Sequence, residues 1–534
     1  MATLLFNRRL LMLALAGILL YTAVALLSQS GETTETERQA ADVPSISKRE
    51  AADAAAAFLK SEYGISGKPE TFVAYQSRKT FSGYLQKADL YDDYEKKWIA
   101  EFPLDFFEVE AYVPGSGERY YVEVNFTNGH VTAWSKDIPK AAKRADVDTA
   151  DRKKLAEQAL AKHGYDLNDL RYLKQSPEDG SYIFESGTKT IGESKLQVHV
   201  AVQNREVVRL APQFSVPESY ETWQDEQDES ASLMTRISLT FTLLMVLFAV
   251  YAVVKYRKYI TFHHGLLLTV IFSTVYITNN INMYPAFKTG YGDRLDGWEA
   301  VTSLFFMNFI VFLMAAALYV SLLAGREMWQ SRGWNAWLHW TEPSFGREVL
   351  GGMGRGYLLC LFILGVQQML FFIAEKKFHV WAVNDPSDSV YNMLAPGLFP
   401  LMAWAAAISE EATYRLFGIA MFQRIVKNRF LAVLIPSMIW ALSHTQYPIY
   451  PVYTRFVEVT IIGLIFGYAF LRFGFITVVF AHASMDSILM GLSLIDTGTA
   501  ADIATGLFYI FVPGIVAYLI AWYHRSKVLK GALI

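Results

Sequence analysis

One cysteine, Cys360, stands in a chain of 534 residues, and it lies inside an apolar run. A disulfide within the chain is therefore excluded, and so is a metal site built on a cysteine pair. The chain also lacks an excess of charge: 48 Lys and Arg face 51 Asp and Glu, for a net charge of −3. That balance argues against nucleic acid as a partner. There is no glycine-rich phosphate cradle at a strand–helix junction and no His-Glu-x-x-His zinc helix. No inverted repeat of apolar segments is evident, which ranks a transporter last.

Apolar residues, by contrast, are abundant. The chain is 53% hydrophobic and 15% aromatic, with a positive mean hydropathy. That composition suits a bundle of membrane helices carrying a soluble insert. A span needs roughly 20 apolar residues. Residues 7–28 read as an uncleaved N-terminal anchor. Further spans are expected near 233–255, 263–284, 300–324, 350–374, 392–422, 430–446, 453–472, 474–495 and 502–523, which gives about ten. With both termini cytoplasmic, the cytoplasmic ends hold Arg8, Arg9, Lys255, Arg257, Lys258, Arg424, Lys427, Arg525, Lys527 and Lys530 among others. The outer short loops hold few cations, Arg294 among them, so the charge bias supports this orientation. His263 and His264 at a span entrance, and Trp329, Trp334, Trp337 and Trp340, read as membrane-interface residues.

Residues 30–232 are dense in charge and are expected to form an extracytoplasmic α+β domain. Helical stretches begin near Ser47 and Asp151, each followed by strand-like segments. Val122, Val124, Phe126, Asn128 and Val131 are echoed by Val198, Val200, Val202, Asn204 and Val207. Alternation, an Asn-containing turn and a second strand predict two copies of a helix-plus-hairpin module, at approximately 45–140 and 148–218. These resemble the PepSY-type modules attached to bacterial membrane enzymes. The expected organisation is an anchor (1–29), the outer domain (30–232), additional spans with an interfacial segment (233–345), an intramembrane core (346–525) and a cytoplasmic tail (526–534).

Ionisable residues inside a span are costly and mark function. Three spans carry them together: Ser409-Glu410-Glu411-Ala412-Thr413-Tyr414-Arg415, Trp440-Ala441-Leu442-Ser443-His444, and His482-Ala483-Ser484-Met485-Asp486. At 1.5 Å per residue, Glu410 and His444 lie about 18 and 21 Å from the cytoplasmic ends of their helices, and His482 and Asp486 about 12 and 18 Å. The polar groups thus meet at similar depth. Glu411 and Arg415 are four apart and can pair, while Glu410 points about 100° away on an α-helix. A buried carboxylate can serve as a general base, and imidazoles can orient water or stabilise an oxyanion.

Glu-Glu-x-x-x-Arg, then aromatic-x-x-x-His, then His-x-x-x-Asp resembles the CAAX-protease and bacteriocin-processing (CPBP) family over roughly residues 350–500. Its members include type II CAAX prenyl endopeptidases and bacteriocin-processing or immunity proteins. The resemblance implies a glutamate-dependent intramembrane peptidase without a cofactor. Glu410 would activate water, His444 would hold it, and His482 with Asp486 would stabilise the oxyanion or position the peptide. Glu411 and Arg415 would support the site. An ionised Asp486 cannot donate, so it must be protonated or orient His482. The alternatives are a zinc metalloprotease with Glu410, His444 and His482 as ligands, and a non-proteolytic adaptor or immunity-type protein with a sensory outer domain. The expected partners are the bilayer, a membrane-associated polypeptide substrate, and a peptide or cell-wall ligand of the outer domain. The expected setting is a bacterial cell membrane.

Overall fold

The computed structural model describes residues 7–29, 43–65, 67–114, 116–137, 149–177, 179–289 and 297–529. Arg294, Lys530 and the expected inner ends of the two modules, near 138–148, lie outside the described residues. The chain divides into two compact units. One takes in Ala40–Asp225 and Val383–Asn392, and the other Met1–Gln39, Glu226–Ala382 and Met393–Ile534.

The first unit is built on one antiparallel sheet of eight strands: β1 (Glu70–Ser77), β2 (Asp105–Val113), β3 (Glu118–Asn125), β4 (Val131–Lys136), β5 (Leu170–Gln175), β6 (Tyr182–Ile191), β7 (Ser194–Gln203) and β8 (Glu206–Phe214). Their order is β1-β2-β3-β4-β8-β7-β6-β5. Each half is a four-strand meander preceded by a helix, and the halves join where Trp134 of β4 faces Leu210 of β8. The repeated motif falls on the third and fourth strands of each half. Val122 and Val198 are both fully buried on the core face, as the period of two requires. Asn204 and Arg205 take positive φ in the β7–β8 turn, the conformation a tight hairpin demands.

The helix Lys48–Tyr63 starts on a capping box between Ser47 and Glu50 and buries Ala51, Ala55 and Leu59. That four-residue spacing makes one apolar stripe. The helix Thr149–Lys162 buries Ala156 and Leu160 in the same way. Two further helices, Lys79–Lys87 and Tyr91–Lys97, lie between β1 and β2. At the free edge of β1, Asn392 uses its side chain as a strand would: it accepts from Tyr75 N–H and donates to Tyr75 C=O, both at 2.8 Å. This blunts an edge that would otherwise pair with other chains.

The second unit is helical. Its principal helices are α1 (Arg8–Gln29), α2 (Glu218–Tyr256, from Glu226 onward), α3 (Leu266–Asn282), α4 (Gly297–Gln330), α5 (Phe345–Phe378), α6 (Met402–Glu410), α7 (Ala420–Val426), α8 (Arg429–Leu442), α9 (Val452–Phe473), α10 (Phe475–Ile495) and α11 (Ala500–His524). Among the described residues, seven are long and apolar enough to cross a membrane: α1, α2, α4, α5, α9, α10 and α11. Helices α3 and α8 are apolar but shorter. Leu239, Leu243 and Leu247 on α2, and Phe305, Phe306 and Phe312 on α4, stand exposed. Apolar faces of that extent belong in lipid. The protein is a multi-pass membrane protein.

Two expected spans differ from plain α-helices. The stretch expected at 392–422 opens with a 3-10 turn, Pro396–Leu401, and passes through α6 into a π-helical segment, Glu411–Ile419, before α7. The stretch expected to run to 446 stops as a helix at Leu442. Close helix contacts bind the core. A Cβ on Gly467 of α9 would sit 2.4 Å from Val433 of α8, and one on Gly356 of α5 would sit 2.9 Å from the Ala481 nitrogen of α10. Small residues at such crossings let backbones approach where lipid supplies no hydrophobic drive.

Candidate active site

Three elements carry the polar residues. Glu410 ends α6 and Glu411 begins the π-helical segment. Such segments widen the turn and frequently sit at functional sites. Here the widening leaves carbonyls to be met from outside, and the Trp329 indole of α4 donates to Leu416 C=O at 2.7 Å.

His444 lies just past the end of α8, where the last carbonyls of a helix need partners. Each one is met. Ser238 of α2 donates to Ile439 C=O, His444 N–H to Ala441 C=O, and Thr445 Oγ1 to Leu442 C=O. His444 Nδ1 lies 2.9 Å from Trp440 C=O. A carbonyl can only accept, so Nδ1 carries the proton and Nε2 presents its lone pair. The end of the helix therefore fixes the imidazole's tautomer and aim.

His482 and Asp486 lie one turn apart on α10. His482 is almost fully buried, with Phe466 of α9 stacked on it at 5.0 Å. Its Nδ1 is 2.9 Å from Glu411 Oε1, and its Nε2 is 3.3 Å from Asp486 Oδ2. Both nitrogens thus face carboxylates, and an imidazolium satisfies both by donation.

These groups converge on Glu410. Its Oε2 accepts from the Trp440 indole N–H at 2.5 Å and lies 3.8 Å from His482 Nε2. Its Oε1 lies 4.0 Å from His444 Nε2. Glu410 keeps 23% of its side chain exposed, whereas Glu411 has none. The two adjacent carboxylates therefore have different environments. Glu410 opens to the site. Glu411 is locked between His482 and Arg415, whose Nη1 is 3.2 Å away. Arg415 lies over the Trp440 and Phe466 rings at 4.1 and 5.3 Å, a placement that favours a cation.

All six residues singled out from the sequence (Glu410, Glu411, Arg415, His444, His482 and Asp486) meet in one place. Sequence reasoning missed what Trp440 does: it entered only as the aromatic of a motif, yet its N–H holds Glu410. The four-residue spacing to His444 was the available signal. Asn280 of α3 donates to Asn308 of α4 at 3.0 Å, a polar bond between two helices. Trp329, expected at the membrane interface, is instead buried against the π-helical segment.

Residues 392–488 match the family "Type II CAAX prenyl endopeptidase Rce1-like". The chain is also 22% identical over 395 residues to the sporulation-killing factor biosynthesis protein SkfC of Bacillus subtilis (strain 168), covering 71% of this chain and 75% of that one. No solved structure matches. The matched stretch, residues 392–488, is a type II CAAX prenyl endopeptidase Rce1-like domain, and it contains every one of the six converging residues.

Proposed function

We propose that the protein hydrolyses a peptide bond of a membrane-associated polypeptide, with Glu410 as general base. The observation that carries this reading is the 4.0 Å gap between Glu410 Oε1 and His444 Nε2. One water bridges such a gap at ordinary hydrogen-bond lengths. It gives one proton to the carboxylate and one to the imidazole lone pair, so an oxygen lone pair is free to attack. Glu410 takes the proton and returns it to the leaving amine. His482, held as an imidazolium by Glu411 and Asp486, stabilises the developing oxyanion. Asp486 orients His482 and need not be a donor itself. Glu411 and Arg415 fix the ring and touch no substrate.

The chemistry proposed is metal-free. Zinc on Glu410, His444 and His482 would need the lone pair of His482 Nε2, and Asp486 at 3.3 Å favours a proton there. Ten spans with cytoplasmic termini, and an extracytoplasmic sheet unit of two PepSY-like halves that receives a peptide or cell-wall ligand, complete the reading. Similarity to SkfC makes the precursor of such a factor one substrate to test. The test compares membrane proteomes of cells making wild type and Glu410→Ala at equal expression. New termini seen only with wild type support the proposal and name the substrate. Identical proteomes with folded protein favour the adaptor reading.

A further inference from the structure

Far along the sequence from the six residues of the active site, three imidazoles come together. His263 and His264 belong to the loop between α2 and α3, and His339 to the loop between α4 and α5. One ring nitrogen from each lies within 4.8 Å of the others. The ring centroids of His264 and His339 are 3.8 Å apart, and those of His263 and His264 are 4.7 Å apart. We infer that His263, His264 and His339 form a binding site for a divalent late first-row cation, zinc above all, with a fourth position open to water.

Imidazole is the preferred ligand type for these cations, and three of them with one open position is an established tetrahedral set. At about 2.1 Å per bond and a tetrahedral angle, two ligands of one ion stand ~3.4 Å apart. A pair at the full 4.8 Å must therefore close by about 1.4 Å, a turn that exposed or half-buried rings can make. The loops are anchored for this. Tyr319 OH of α4 donates to Phe262 C=O, next to the first ligand. His339 N–H donates to Glu342 Oε1 at 2.9 Å, and its Nδ1 meets Thr341 Oγ1 at 2.7 Å. The Thr341 N–H also points at that Nδ1, at 3.3 Å, so binding through Nε2 needs the proton to move to Nδ1 and be donated to the Thr341 hydroxyl, the orienting contact that metal-bound imidazoles commonly have.

Arg326 sets the affinity. Its guanidinium lies against His264 Nδ1. It can only donate, so it claims a lone pair that the bound form must protonate or give to the ion. It also places a positive charge beside the cation. Binding must turn it away, toward Trp337 C=O, which already lies 3.4 Å from its Nε. The ion would tie the α2–α3 loop to the α4–α5 loop, which follows the helix whose Trp329 braces the π-helical segment after Glu410.

The test uses full-length protein, affinity tag removed, stripped with chelator and titrated with zinc chloride. One zinc per chain is expected. It should be lost in His264→Ala and in His339→Ala and kept in Glu410→Ala. Arg326→Gln, which removes the cation and offers Nδ1–H an acceptor, should tighten binding by about tenfold, a gain that misfolding cannot produce. Zinc bound equally by the His264→Ala/His339→Ala double variant, no zinc in wild type, or zinc lost in Glu410→Ala would overturn the inference.

Discussion

Replacing Glu411 with alanine should destabilise the helical unit more than replacing its neighbour Glu410. Glu411 is fully buried and Arg415 has 1% of its side chain exposed. The carboxylate accepts from His482 and neutralises Arg415, whose Nη1 and Nη2 have no hydrogen-bond partner among the described residues. Its loss strands a buried cation. Breaking a buried pair from one side costs about 3–5 kcal/mol. The Trp440 and Phe466 faces still hold the guanidinium and contribute up to ~2 kcal/mol when desolvated, so the lower part of that range is expected. Glu410→Ala removes a carboxylate that is still partly open but strands the Trp440 N–H, and should cost about 1–2 kcal/mol. Denaturant unfolding in mixed micelles measures both. Removing the stranded charge as well, in Glu411→Ala/Arg415→Met, should recover stability relative to Glu411→Ala, because apolar replacement of a buried pair is often neutral. Equal losses at Glu410 and Glu411, or a double variant whose loss is the sum of the singles, would refute the reasoning.

Other consequences are more local. Trp440→Phe keeps the ring but removes the donor to Glu410, and loss of a charge-assisted bond worth about 1.5–3 kcal/mol should slow cleavage about 10–100-fold with little change in the melt. Gly356→Val pushes into the α10 backbone beside His482 and should cost about 1–3 kcal/mol by overpacking, read in the same unfolding assay. In the sheet unit, burial lowers His199 from 6.5 to about 4. The unfolded chain binds that proton more readily, so stability is full above pH ~6.5 and falls toward pH 4. Discounted for the ring's partial exposure, the loss is about 1–2 kcal/mol. His199→Gln should flatten that slope in urea midpoints read by proteolysis within residues 43–225.

The candidate site was legible because charge inside an apolar run is costly, and three such runs stand out without any knowledge of packing. The resemblance then assigned each residue its expected part. The π-helical segment was not legible. Glu411–Ile419 carries ordinary helix-forming residues, and the wider turn depends on neighbours such as Trp329 that arrive from α4. The place of His444 was also hidden, since nothing after Leu442 marks a helix end until Pro448. In the sheet unit, the echo of valines revealed two similar halves. Their fusion into one sheet rests on β4 pairing with β8, more than 70 residues away, which no local pattern encodes. His263 and His264 were read as interface residues, and His339 was not singled out, because His339 lies 75 positions from His264 and only the fold brings them together.

The most direct measurement is the cleavage rate of wild type and Glu410→Gln, purified into lipid nanodiscs, on the substrate found by terminus mapping, with melting temperature recorded beside it. Loss of a general base costs about 10²–10⁴ in rate, so Glu410→Gln should fall by that factor while melting as wild type does. Glu410→Gln cleaving at the wild-type rate would contradict the assignment of Glu410 as the group that activates water.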